Sequence, residues 1–258
     1  MNPPPTPPAA TRSVSMALAV TATALTAGAT IPLLPHRLRP AAGLGVTALG
    51  VGLAARGGLD AATLGLDPGA TRTGTRTGAA AAAGIAAVVG AAAGLPATRG
   101  LFADARVTDA SRGRATYEVL VRIPVATALA EELLFRGVLL GAWQAAAGTP
   151  VAVTVSSLAF GVWHVLPALE AHAHNPAGAR LSARAEDRIS AGAGGRATHV
   201  GGTILATALA GAAFAALRLR SRSIVAPVIA HAALNQLGYL AARWAHSPAA
   251  VTAPATQS

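Results

Sequence analysis

Long runs of Ala, Val, Leu, Gly and Thr alternate with shorter polar stretches along this chain. The predominantly apolar runs are 13–35, 41–55, 78–97, 119–143, 151–166, 198–217 and 224–242. About 20 such residues in a helix cross a bilayer, and a helix satisfies its own backbone there. The pattern therefore predicts an all-α fold, a polytopic membrane helix bundle of about seven (six to eight) transmembrane helices. The second run is short for a full crossing. The first could instead be a cleaved signal peptide, with Arg12 as its charged flank and small residues near Ala27. Its length, and the runs that follow it, favour a bundle helix.

The polar stretches divide the chain. Residues 1–12, MNPPPTPPAATR, are Pro-rich and read as a disordered start. Residues 13–246 read as the membrane-embedded bundle, with its core over 123–242, and 247–258 as a disordered tail. An Arg-rich stretch, 99–122, could lie along the membrane surface as an amphipathic helix. A polar insertion, 170–197, reads as a solvated loop. His172, His174 and the nearby His199 are too scattered to converge on a metal. Arginine counts do not fix the orientation: 99–122 and 180–196 favour one side as inside, and RLRSR at 218–222 the other.

Composition supports the membrane reading. The chain is 53% hydrophobic and 12% charged, against about 25% charged in soluble domains. The abundance of Ala and Gly implies close backbone approach between helices. Net charge is +10 and every basic residue is arginine, but the arginines fall between the apolar runs and aromatics are only 3%. That distribution excludes a nucleic-acid partner and leaves membrane lipids. The absence of cysteine excludes disulfides, Cys-ligated zinc and thiol catalysis.

Of ten acidic residues, Glu131 and Glu132 alone lie in the middle of an apolar run. An ionisable group there costs about 2.5–3.5 kcal/mol on insertion scales, which makes it a functional candidate. Glu132 and Arg136 are spaced i,i+4 and can pair on one helical face. Glu131 lies about 100° round the helix, free to face a cavity. In later runs, Phe160 and His164 share one face of FGVWH, and His231 and Asn235 share one face of HAALN. Counting residues from the turn at Pro150 puts Glu131 and His164 both roughly 20 Å deep, while His231 comes out shallower, roughly 10–15 Å from Arg222. A glutamate beside a histidine can take a proton from water, and further donors can hold an oxyanion. No HExxH, GxSxG or P-loop signature competes.

EELLFRG (131–137), FGVWH (160–164) and HAALN (231–235), in this order, resemble the CAAX protease and bacteriocin-processing family of intramembrane proteases, which includes type II CAAX prenyl endopeptidases. TLGL (63–66) is similar to a short element often found upstream in that family. The resemblance implies that Glu131 and His164 activate water, and that His231 and Asn235 stabilise the oxyanion or complete the polar site. It implies structural support from Glu132, Arg136 and Phe160, and a peptide or membrane-protein substrate. The family has been described both as metal-dependent and as glutamate-dependent; two glutamates and two histidines could in principle hold zinc, and otherwise no cofactor is implied. The long 170–197 insertion departs from the family pattern. The lysine-free, Ala- and Arg-rich composition suggests a bacterial plasma membrane, where a prenylated substrate is not expected.

Two other readings suit the same residues. A proton- or cation-coupled transporter could use the acids and histidines as a relay, although no inverted repeat is visible. A non-catalytic scaffold could use them only to fix helix packing.

Overall fold

The computed structural model describes residues 9–102, 104–174 and 195–245, and no strand occurs among them. Helix α1 spans Ala9–Thr30, α2 Arg39–Arg56 and α3 Thr71–Gly94. After short turns at Pro96–Arg99, Gly100–Phe102 and Ala105–Thr108 comes α4, one unbroken helical run over 112–147. Then follow α5 (Thr149–Trp163), α6 (Val165–His174), α7 (Gly195–Ser221) and α8 (Val225–Ala245).

Among the described residues, five stretches are long and apolar enough to cross a membrane: Thr11–Leu33, Pro68–Gly94, Thr149–Glu170, Gly201–Ser221 and Val225–Ala245. The protein is a polytopic helical membrane protein. Helices α2 and α4 also fall on runs expected to span, but both carry charged residues. Arg39 and Arg56 bound α2, and α4 carries Glu131, Glu132 and Arg136 at its centre.

Several boundaries differ from the expected ones. Helix α1 begins at Ala9, inside the stretch expected to be disordered. Residues 1–8 and the 247–258 tail lie outside the described residues, as does most of the 170–197 insertion, whose described ends are helical. The side chains of His172, His174 and His199 lie outside the described residues too. The 99–122 stretch is not one surface helix. It breaks into short turns until Ser111, whose Oγ accepts the Arg114 N–H at 3.2 Å and caps α4.

Helix α1 is built into the bundle. Val20 and Ala24 are buried against residues of α4 and α5, and Trp143 Nε1–H of α4 donates to Thr21 Oγ1 at 3.0 Å.

Small residues bring the helices together, as lipid-embedded packing requires. A Cβ added to Gly78 of α3 would sit 2.9 Å from the Ala226 carbonyl oxygen of α8, and one on Gly161 of α5 would sit 2.7 Å from that of Ile204 in α7. The TLGL turn is clamped in the same way. Leu64 enters the core beside Leu134, Phe135 and Val138. Arg218 Nη2 of α7 donates to the carbonyls of Ala62 at 3.2 Å and Thr63 at 2.8 Å. The Ile224 N–H donates to the Gly65 carbonyl at 2.9 Å. Gly65 has φ +77°, a conformation glycine adopts without strain.

Helix α4 is unusual inside. Its hydrogen bonds run i→i+5 over Glu118–Leu129 and Leu133–Leu139, with an ordinary α turn, Ala130–Glu132, between them. Pro124 removes one donor from the first wide segment. Such π segments are rare and collect at functional sites. The α turn between them carries both glutamates.

Candidate active site

Four helices supply the polar centre. Glu131, Glu132 and Arg136 come from α4, and Phe160 and His164 from the end of α5. His231 comes from α8, and Phe214 of α7 closes one side.

The buried layer is an ion pair extended by a histidine. Arg136 Nη1 donates to Glu132 Oε1 at 3.1 Å, and neither side chain is exposed at all. The guanidinium centre lies 4.0 Å from the Phe160 ring centroid and 5.3 Å from that of Phe214. Its Nε and Nη2 have no hydrogen-bond acceptor among the described residues, so aromatic faces are what surround them. His231 Nδ1 lies 2.8 Å from the same Glu132 Oε1. Because a carboxylate accepts, the proton is on Nδ1, and Glu132 fixes the tautomer of His231. Phe214 stacks on the other face of that ring, with centroids 5.1 Å apart and planes 18° from parallel.

The second layer is only partly buried. Glu131 is 14% exposed and His164 23%. His164 Nδ1 is 2.8 Å from the Phe160 carbonyl oxygen, and a carbonyl only accepts, so Nδ1 donates and Nε2 carries the lone pair. That Nε2 lies 3.8 Å from Glu131 Oε2, and His231 Nε2 lies 4.0 Å from the same oxygen. Glu131 Oε2 itself has no hydrogen-bond partner. Three acceptors therefore converge: one carboxylate oxygen and two imidazole lone pairs. They cannot satisfy one another without a donor between them. A water placed about 2.8 Å from two of them would make an angle near 90°, which its two hydrogens can serve.

The same distances test zinc. A tetrahedral ion with bonds of about 2.0–2.1 Å holds its donors about 3.4 Å apart. The separations of 3.8 and 4.0 Å are wider, and no group of three or more His, Asp or Glu among the described residues is arranged to hold a metal. The zinc alternative does not fit this arrangement.

Of the residues singled out in the sequence, Glu131, Glu132, Arg136, Phe160, His164 and His231 meet here. Asn235, one turn beyond His231 on α8, is half-buried and makes no hydrogen bond with any described residue. His231 is not shallower than Glu131, as counting from Arg222 suggested, but level with it. Depth counting assumes straight α-helices and level turns, and α4 is neither uniform nor bounded by equivalent loops. Phe214 is not legible in the sequence, because one aromatic in an Ala-rich helix carries no periodic signal. Glu132 meets His231 as well as Arg136, a contact that spacing within one helix cannot show.

The comparisons agree with the motifs. No curated protein and no solved structure matches this chain. Residues 114–237 match the family model described as type II CAAX prenyl endopeptidase Rce1-like. Over that stretch, which runs from the start of α4 into α8 and carries every residue of this centre, the chain is similar to the Rce1-like type II CAAX prenyl endopeptidases.

Proposed function

We propose that this protein is an intramembrane endopeptidase that hydrolyses peptide bonds with a water activated by Glu131 and His164. The observation that carries this is the convergence of Glu131 Oε2 with the Nε2 atoms of His164 and His231, three acceptors from three helices. In the proposed reaction Glu131, assisted by His164, takes a proton from water as its oxygen bonds to the substrate carbonyl carbon. The carbonyl oxygen becomes an oxyanion. The C–N bond then breaks, and the proton passes to the leaving amine. The Asn235 amide donates to the oxyanion, and His231, held by Glu132 on Nδ1, completes the polar site beside it. Arg136 neutralises Glu132, so that the second carboxylate supports the site without competing for the water. No step requires a metal.

The family match supports a membrane protease with a peptide substrate. The lysine-free composition supports a bacterial plasma membrane as its home, and the substrate as a peptide or membrane protein there. The test is hydrolysis of a panel of self-quenched peptides by the full chain in detergent micelles. Glu131→Gln keeps the volume and removes the base. Wild type should cleave, and Glu131→Gln should lose about 10²–10⁴-fold in rate with an unchanged melting midpoint. Near-wild-type cleavage by Glu131→Gln ends the proposal. Glu131-dependent cation uptake by proteoliposomes, with no peptide cleaved, would replace it with a transporter.

A further inference from the structure

Helix α2 meets α4 through a stripe of small residues: Gly43, Thr47, Gly50 and Ala54. Thr47 is its polar member, and it behaves unlike other threonines of this fold. Thr21, Thr75, Thr154 and Thr207 each donate to the carbonyl four residues back in their own helix, at 2.6–3.0 Å. That is how a hydroxyl in an apolar helix ordinarily satisfies itself. Thr47 instead donates across the interface, 3.0 Å to the Ala130 carbonyl oxygen. A hydroxyl has one proton to give, so its own helix goes without it. The contact is buried, with Thr47 only 5% exposed.

The acceptor is what matters. Ala130 immediately precedes Glu131 and opens the short α turn between two i→i+5 segments. Its carbonyl also takes the Leu133 N–H, a tight i→i+3 bond that closes the turn. A helix that changes hydrogen-bond registry twice within a few residues has neighbouring registries close at hand. A shift by one residue turns each side chain by about 100°. Such a turn would carry Glu131 away from His164 and His231, and Glu132 away from Arg136. A fixed donor from outside the helix selects one registry.

We infer that Thr47 is a positioning residue whose hydroxyl, bonded to the Ala130 carbonyl, holds the turn that aims Glu131 at His164 and His231. It touches neither water nor substrate. Its part in catalysis rests on the hydrolytic reading of this centre, whereas its part in aiming the glutamates does not.

The experiment compares the full chain as wild type, Thr47→Val and Thr47→Ser, with Glu131→Gln as the inactive reference. Valine keeps the shape and removes the donor; serine restores the donor. Thr47→Ala replaces valine in the comparison if the valine variant does not fold. Two readouts are taken: kcat and KM on the panel peptide that wild type cleaves fastest, and the ¹⁵N spectrum of histidine-labelled protein, which reports the His231 Nδ1–H on Glu132 without any substrate. Thr47→Val should lower kcat roughly tenfold to a hundredfold with little change in KM, as displacing a reacting group does. It should also shift or broaden the His231 signals, and Thr47→Ser should recover both. Wild-type kcat and His231 signals in Thr47→Val, or a serine variant as impaired as valine, overturn the inference. If Glu131→Gln proves fully active, the hydrolytic reading fails and the histidine spectrum alone decides on Thr47.

Discussion

Removing Arg136 should damage the fold before it damages the chemistry. Arg136 and Glu132 are both fully buried and 3.1 Å apart, and among the described residues His231 Nδ1 at 2.8 Å would be the remaining hydrogen-bond partner of the carboxylate in Arg136→Ala. Stranding one charge of a buried pair costs about 3–5 kcal/mol. The guanidinium also stacks 4.0 Å from the Phe160 centroid, a desolvated cation–π contact worth about 2 kcal/mol. Two effects sharing one side chain do not add. Polar groups in an unfolded membrane chain also find partners, which lowers the net loss. The expected cost is therefore about 3 kcal/mol, the low end of the buried-pair range. At about 2–4 °C per kcal/mol for a chain of this size, the melting midpoint should fall by roughly 6–12 °C. The assay is thermal unfolding in detergent, followed by intrinsic fluorescence or by loss of the monodisperse peak. Glu132→Gln combined with Arg136→Met is the decisive companion, because removing both charges leaves none stranded. It should recover much of the loss, since well-packed neutral replacements of buried pairs are often tolerated. A midpoint within about 2 °C of wild type for Arg136→Ala, or a double variant no better than the single one, refutes the reasoning.

Three other outcomes are expected. Dialysis against a chelator should leave the hydrolysis rate unchanged, because the donors at 3.8 and 4.0 Å are set too wide for tetrahedral zinc; stoichiometric zinc in the purified protein with chelator-sensitive activity would contradict this. Gly161→Ala should destabilise by about 1–3 kcal/mol, since its Cβ would meet the Ile204 carbonyl oxygen at 2.7 Å, whereas Gly84→Ala, with nothing within 4 Å, should be neutral or gain up to about 1 kcal/mol; midpoints of the two variants check both. Asp60, in the turn before α3, accepts the Thr63 N–H at 2.8 Å, and that bond holds its carboxyl below the usual carboxylate range. Its contribution is present above the ordinary carboxylate value and lost as pH falls through the lowered one, so Asp60→Asn should flatten the acid side of a midpoint-versus-pH curve below about pH 4.

The sequence by itself determined the kind of solvent this chain folds in and which side chains must meet. Apolar runs of spanning length admit only helices in lipid. Set within apolar runs, Glu131, Glu132, Arg136, His164 and His231 must find one another because lipid offers them nothing. The Glu132–Arg136 pair was legible too, because i,i+4 spacing places both on one face whatever the rest of the chain does. Tertiary structure decided the rest. Which oxygen of which glutamate faces which ring nitrogen depends on how α4, α5 and α8 cross, and no spacing within one helix encodes that. The i→i+5 segments of α4 are likewise a response to packing and to Pro124, not a pattern of hydrophobic positions. Thr47 is the clearest case. A threonine in an apolar helix looks the same in sequence whether its hydroxyl turns back on its own carbonyl, as Thr154 does, or reaches another helix. Only the close approach of α2 to α4 across small residues brings the Ala130 oxygen within reach of its one proton.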